Sequence, residues 1–114
     1  MGLRDRLRGR GRRAGTRRAA RSAEFDHLSS WAATRRGVEG FVEPQTPTTT
    51  STLVLVAVDG EWTRRRVDSP AAAFGFGQKT GIPVYDVAAV GYPPRMREWT
   101  AKRKAAGQTG VPES

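Results

Sequence analysis

Residues 52–58, TLVLVAV, carry apolar side chains on both faces of one strand: Leu53, Leu55 and Ala57 on one, Val54, Val56 and Val58 on the other. Such a strand cannot leave either face in water, so it belongs inside a sheet that is covered on both sides. Asp59-Gly60 follows and predicts a two-residue type I′ hairpin turn. The return segment, residues 61–67 (EWTRRRV), is polar and rich in arginine. That composition suits an edge strand protected against further pairing.

The remaining elements arrange themselves around this hairpin. A helix is predicted over residues 23–36, with Ser22 as its cap, Glu24 and Asp26 in its first turn, Arg35 and Arg36 in its last, and Gly37 at the left-handed position beyond it. Phe25, Leu28 and Ala32 share one face of that helix, with Trp31 beside them. Residues 38–43 (VEGFVE) read as a short strand ended by Pro44, and residues 45–52 (QTPTTTST) as an exposed loop. Ser69-Pro70 opens a helix over 70–79 that Gly81 closes, although Gly75 and Gly77 inside it each cost about 1 kcal/mol relative to alanine. Residues 82–90 (IPVYDVAAV) read as another buried strand, and residues 94–106 as a final helix offering Met96 and Trp99 to the body.

The fold class expected is therefore α/β, a small single domain over residues 23–106 in the order α-β-β-β-α-β-α with a mixed sheet. A right-handed crossover makes strands 61–67 and 82–90 parallel. With 61–67 at an edge, 82–90 is expected on the other side of 52–58. Residues 1–22 form an arginine-rich tail expected to be disordered, and residues 107–114 a frayed C-terminus.

Charge is distributed unevenly. The chain has a net charge of +9, and residues 1–22 hold nine arginines against Asp5 alone. Residues 37–94 carry four basic and six acidic side chains, so the middle of the chain is mildly acidic. There is no cysteine, which removes disulfides and thiolate zinc sites, and the one histidine, His27, cannot build a histidine cluster. No apolar run is long enough to cross a bilayer, and residues 1–22 lack the apolar stretch of a secretory signal, so a cytoplasmic location is expected.

Several tempting motifs fail on inspection. Gly75–Gly81 (GFGQKTG) echoes a phosphate-binding loop at Lys79-Thr80, but Gln78 stands where glycine must precede the lysine. Its glycines also follow a helix start rather than a strand, the reverse of a dinucleotide site, and no cofactor is expected. Among the carboxylates, Asp59 is needed by the turn and Glu61 begins an exposed strand. Asp86 lies in an apolar strand, so it faces solvent at an edge or pairs with Arg64 or Arg66, the structural ion pair being preferred over catalysis.

The basic residues carry the most general functional expectation. Arg8, Arg10, Arg12, Arg13, Arg17 and Arg18, spaced by glycines, suit contact with RNA or DNA phosphates, since each guanidinium forks onto phosphate oxygens and releases counterions. The run Arg64–Arg66 (Arg64, Arg65 and Arg66) beside Trp62 extends that surface, as do Arg95, Arg97 and residues 102–104 around Trp99, where stacking adds to charge. The bland alternative is that a genome rich in G and C fills an unselected tail with arginine. The threonines at 46–52 are a candidate for phosphorylation; a plain flexible loop is the simpler reading.

The segments TRRGVEGFVEPQT, LVLVAVDGEWTRRRV and GIPVYDVAAVGYPPRMREW resemble a group of short proteins from high-GC actinobacteria, over about residues 34–99. The resemblance implies no catalytic residue and no cofactor. The order α-β-β-β-α-β also resembles the core of restriction-endonuclease-like nucleases, which need an acid-x-lysine on the third strand. Here that strand offers Glu61-Trp62-Thr63, with threonine in the lysine position. The expected function is thus a non-enzymatic accessory protein that contacts another protein and, through its basic residues, nucleic-acid backbone. A divergent nuclease-like enzyme and a purely protein-binding module are the alternatives.

Overall fold

The computed structural model describes residues 21–107, and residues 1–20 and 108–114 lie outside the described part. Residues 21–33 are helical (α1), followed by β1 (Glu39–Glu43), β2 (Thr52–Val56), β3 (Trp62–Arg66), α2 (Pro70–Thr80), β4 (Val84–Asp86), the one-turn α3 (Val87–Val90) and α4 (Pro94–Ala105). The expected disorder of residues 1–22 and 107–114 therefore falls almost wholly outside the described residues. The α/β class with a mixed sheet is what the chain forms.

Helix α1 stops three residues short of the expected end. The carbonyl of Trp31, left without an intrahelical partner, accepts from Thr34 Oγ1 and Arg35 Nη1, both at 3.1 Å. Gly37 then takes φ +60°, and the chain turns into β1.

The four strands lie in the order β3-β2-β1-β4, with β1/β2 and β2/β3 antiparallel and β1/β4 parallel. The edge position of β3 is as expected, but the place of β4 is not. β1, not β4, occupies the second flank of β2. The loop between β1 and β2 is short, so closing that antiparallel pair costs less chain entropy than bringing a distant strand to β2. Phe41 and Val42 are both buried, which gives β1 the two covered faces of an inner strand. Gly40, just before them, lets Val84, Leu53 and Leu55 close over its backbone, each within 3.3 Å of where a Cβ would sit.

Two further expectations are corrected. The hairpin after β2 is not type I′: Asp59 has negative φ, and only Gly60 is left-handed, at φ +95°. Ala57 N–H donates to the Glu61 carbonyl and Gly60 N–H to the Ala57 carbonyl, closing a three-residue loop whose last position requires the glycine. The apolar stretch 82–90 is a strand over only Val84–Asp86, because Asp86 Oδ1 accepts from Ala88 N–H and caps α3. Asp86 thus faces solvent on the edge strand β4, the first of the two alternatives, and among the described residues pairs with neither Arg64 nor Arg66. A short apolar run has no periodicity that separates strand from helix.

Both faces of the sheet are covered, as β2 demands. On one face Leu53, Leu55, Ala57 and Val42 pack with Leu28 and Trp31 of α1 and Ala73 and Phe76 of α2. On the other, Phe41, Val54 and Val56 pack with Trp62, Val87, Tyr92 and Met96. Helix α2 begins and ends where the sequence predicts: Ser69 Oγ accepts from Ala72 N–H, and Gly81 caps the end at φ +77°. Among the described residues no helix is long and apolar enough to cross a membrane.

Candidate anion-binding groove

Helix α1 and the turn after it lie along the edge strand β3 and the residues flanking it, and meet them through four polar contacts. Arg21 pairs with Asp68 at 2.7 Å, Glu24 with Arg65 at 3.7 Å, His27 Nε2 approaches Thr63 Oγ1 at 3.5 Å, and Arg35 forks onto both oxygens of Glu61 at 3.0 and 2.8 Å. Spacings of three residues put Arg21, Glu24 and His27 on one helix face, and Arg35 follows just past the helix end. Strand alternation turns Arg65 and Thr63 toward α1 and leaves Arg64 and Arg66 on the opposite face.

At the far end of this seam a groove of about 1370 Å³ opens. It collects Arg21 and Glu24 from α1, Arg64, Arg65 and Arg66 from β3, Glu43 from β1, and threonines of the 46–52 loop. The carboxylates are already engaged. Glu43 accepts from Arg64 Nη2 at 2.7 Å and from the Tyr92 hydroxyl. Burial, together with the bond to Glu43, pushes the Tyr92 phenol well above its usual range. Arg66 is exposed and has no carboxylate partner among the described residues.

Of the arginines expected from sequence to contact nucleic acid, Arg64 and Arg66 both line this groove. Arg8, Arg10, Arg12, Arg13, Arg17 and Arg18 lie outside the described residues, which begin at Arg21 on the groove's rim. Arg21 was not singled out from the sequence, whereas Arg65 falls within the Arg64–Arg66 run read beside Trp62.

The second expected patch is free only in part: Arg97, Lys102 and Lys104 are exposed, while Arg95 is not. Arg95 turns inward, its Nε donating to the Ala57 carbonyl at 2.9 Å and its Nη2 to Glu39 at 2.7 Å. Trp62 Nε1 donates to Thr100 Oγ1 at 3.1 Å, and Arg103 lies over the Trp99 ring at 5.2 Å. Arg95 and the Trp62–Thr100 bond anchor α4 to the sheet, while Arg103 and Trp99 pair within the helix. Glu61, the carboxylate a nuclease would use, is held by Arg35, and among the described residues no group of three or more His, Cys, Asp or Glu could hold a metal. The Gly75–Gly81 segment is the second half of α2 and its cap.

No protein-family model matches this chain, and no curated protein or solved structure matches it either. The functional reading therefore stands on the groove itself.

Proposed function

We propose that this chain is a small, cofactor-free, non-enzymatic accessory protein of the cytoplasm that binds RNA or DNA backbone without sequence preference. The observation that carries this reading is the convergence of Arg21, Arg64, Arg65 and Arg66 on one groove, at the point where the chain joins residues 1–20 and their eight further arginines. The groove walls favour phosphate over bases. They offer guanidiniums and hydroxyls, and their one aromatic ring, Phe25, is already stacked on Phe76 at a centroid distance of 5.2 Å. The resident ion pairs are no obstacle, because exposed pairs contribute only about 0–1 kcal/mol and a polyphosphate displaces them.

A protein partner has separate support. A smaller groove of about 640 Å³ on α4, lined by Tyr92, Met96 and Ala101 between Arg97 and Lys104, offers an apolar floor with a basic rim.

A salt titration of generic RNA and DNA oligonucleotides tests the nucleic-acid reading on the full chain. R64Q/R66Q is expected to weaken binding and to lower the slope of log affinity against log salt by about 1 to 2. Glutamine at Arg8, Arg10, Arg12, Arg13, Arg17 and Arg18 lowers it further. Absence of binding at low salt, or indifference to both sets of substitutions, would overturn the reading. Metal-dependent cleavage abolished by Glu61→Ala would put an enzyme in its place.

A further inference from the structure

The wall of the groove that faces the arginines is built from Thr46, Thr48, Thr49, Thr50 and Thr52. Their hydroxyls are not equivalent. Thr46 Oγ1 accepts from the backbone N–H of Thr48 at 3.3 Å and of Thr49 at 3.0 Å, and it lies 2.6 Å from Thr49 Oγ1. That turn ties up the first half of the loop. Thr50 follows it, exposed, with a hydroxyl that has no partner among the described residues. Two residues later Thr52 opens β2, directly across from Arg66.

The register sets the reach. Ala57 pairs with Glu61 and Ser51 with Val67 through backbone hydrogen bonds. Thr52 and Arg66 therefore form a non-hydrogen-bonded pair, the closer kind, with Cα atoms about 4.5 Å apart. Thr50 is two extended residues away, about 7 Å along the chain. An arginine side chain spans that length. Arg66 has no carboxylate to leave, and Arg64 beside it shares its carboxylate, Glu43, with Tyr92.

We propose that Thr50 is a phosphorylation site whose phosphate is captured by Arg66 and Arg64, closing the groove to polyanions. The closure rests on the nucleic-acid reading above; the capture does not. In the modification, a protein kinase transfers the γ-phosphoryl group of a nucleoside triphosphate to Thr50 Oγ1. The bond to the β-phosphate breaks, a nucleoside diphosphate leaves, and the hydroxyl proton passes to the kinase's base. The product carries a charge of about −1.5 to −2 at neutral pH, with three acceptor oxygens. Two guanidiniums match it in charge and in fork geometry. The loop then lies across the groove on its own arginines, and the sites that an oligonucleotide phosphate would use are filled from within the chain.

The test uses the full chain carrying phosphothreonine at position 50 by site-specific incorporation. A free phosphothreonine gives up its second proton near pH 6. In the chain, ³¹P NMR is expected to place that midpoint lower by about half a unit or more, since nearby guanidiniums favour the dianion. R64Q/R66Q restores it. Melting by circular dichroism checks that this variant folds; if it does not, Arg66→Gln alone, at an exposed edge, serves instead. Oligonucleotide affinity at fixed salt is expected to fall tenfold or more with the phosphate. An equal ³¹P midpoint with and without the arginines would overturn the capture, and unchanged oligonucleotide affinity would overturn the closure. If the unmodified chain binds no oligonucleotide, the nucleic-acid reading and the closure fall, while the ³¹P midpoint still decides the capture.

Discussion

A Cβ added at Gly75 meets no atom within 4 Å, whereas one at Gly77 would lie 2.5 Å from Val84 Cγ2 and 2.7 Å from the Ile82 carbonyl oxygen. Both glycines stand inside α2, so helix propensity alone favours alanine at each. Gly75→Ala is expected to stabilise the chain by about 0.5–1 kcal/mol. Gly77→Ala is expected to destabilise it by about 1–3 kcal/mol, because the strand beside it must move. Urea midpoints of the two variants check the opposite signs. His27 gives a second prediction at this scale. Its pKa is lowered below 6.5, first by burial and then by Arg65, with Arg35 adding to the effect and Glu24 opposing it. As pH falls through 6.5 the unfolded chain takes up the proton first, so stability drops from there toward the lower folded value and is unaffected above. Comparing urea midpoints at pH 8 and 5.5 should show a loss in the parent that His27→Gln reduces.

Among the elements, α1 and β3 behave as an interlocked pair. Arg35 forks onto Glu61 and also lies over the Trp31 ring at 4.2 Å, and the pair is only about a quarter exposed on each side. Hydrogen bonding to Glu61 raises the Arg35 pKa further. Arg35→Met is expected to cost about 1–2 kcal/mol, more than an ordinary surface pair, since it removes a bidentate contact and a cation–π contact together. A double-mutant cycle with Glu61→Gln separates the two. This interlock was not legible in the sequence, because it joins residues that only the fold brings together. What was legible came from local patterns: the two apolar faces of β2, Ser69 and Gly81 at the ends of α2, and the polar edge strand. The inner place of β1 was hidden because VEGFVE is short and flanked by glutamates that sit at the strand ends. Arg64 and Arg66 were legible as a basic pair, but the threonine wall opposite them depended on a loop with no periodicity.

Across the whole molecule, stability is unevenly spread. β2 is buried along nearly its full length, while α4 contains no buried residue and is held by Arg95, Met96 and the approach of its first two turns to Gly60. Few buried apolar contacts mean a low local opening free energy. Helix α4 should therefore detach as a unit while the sheet stays folded, and its amides should exchange with deuterium well before those of β2. Arg95→Met is expected to speed that exchange in α4 and leave β2 unchanged, a difference mass spectrometry resolves peptide by peptide. The same property sets the chain's weak point toward proteases. Lys102, Arg103 and Lys104 ride on the last turn of the element that opens first. Within the described residues, trypsin should nick there before anywhere in the sheet.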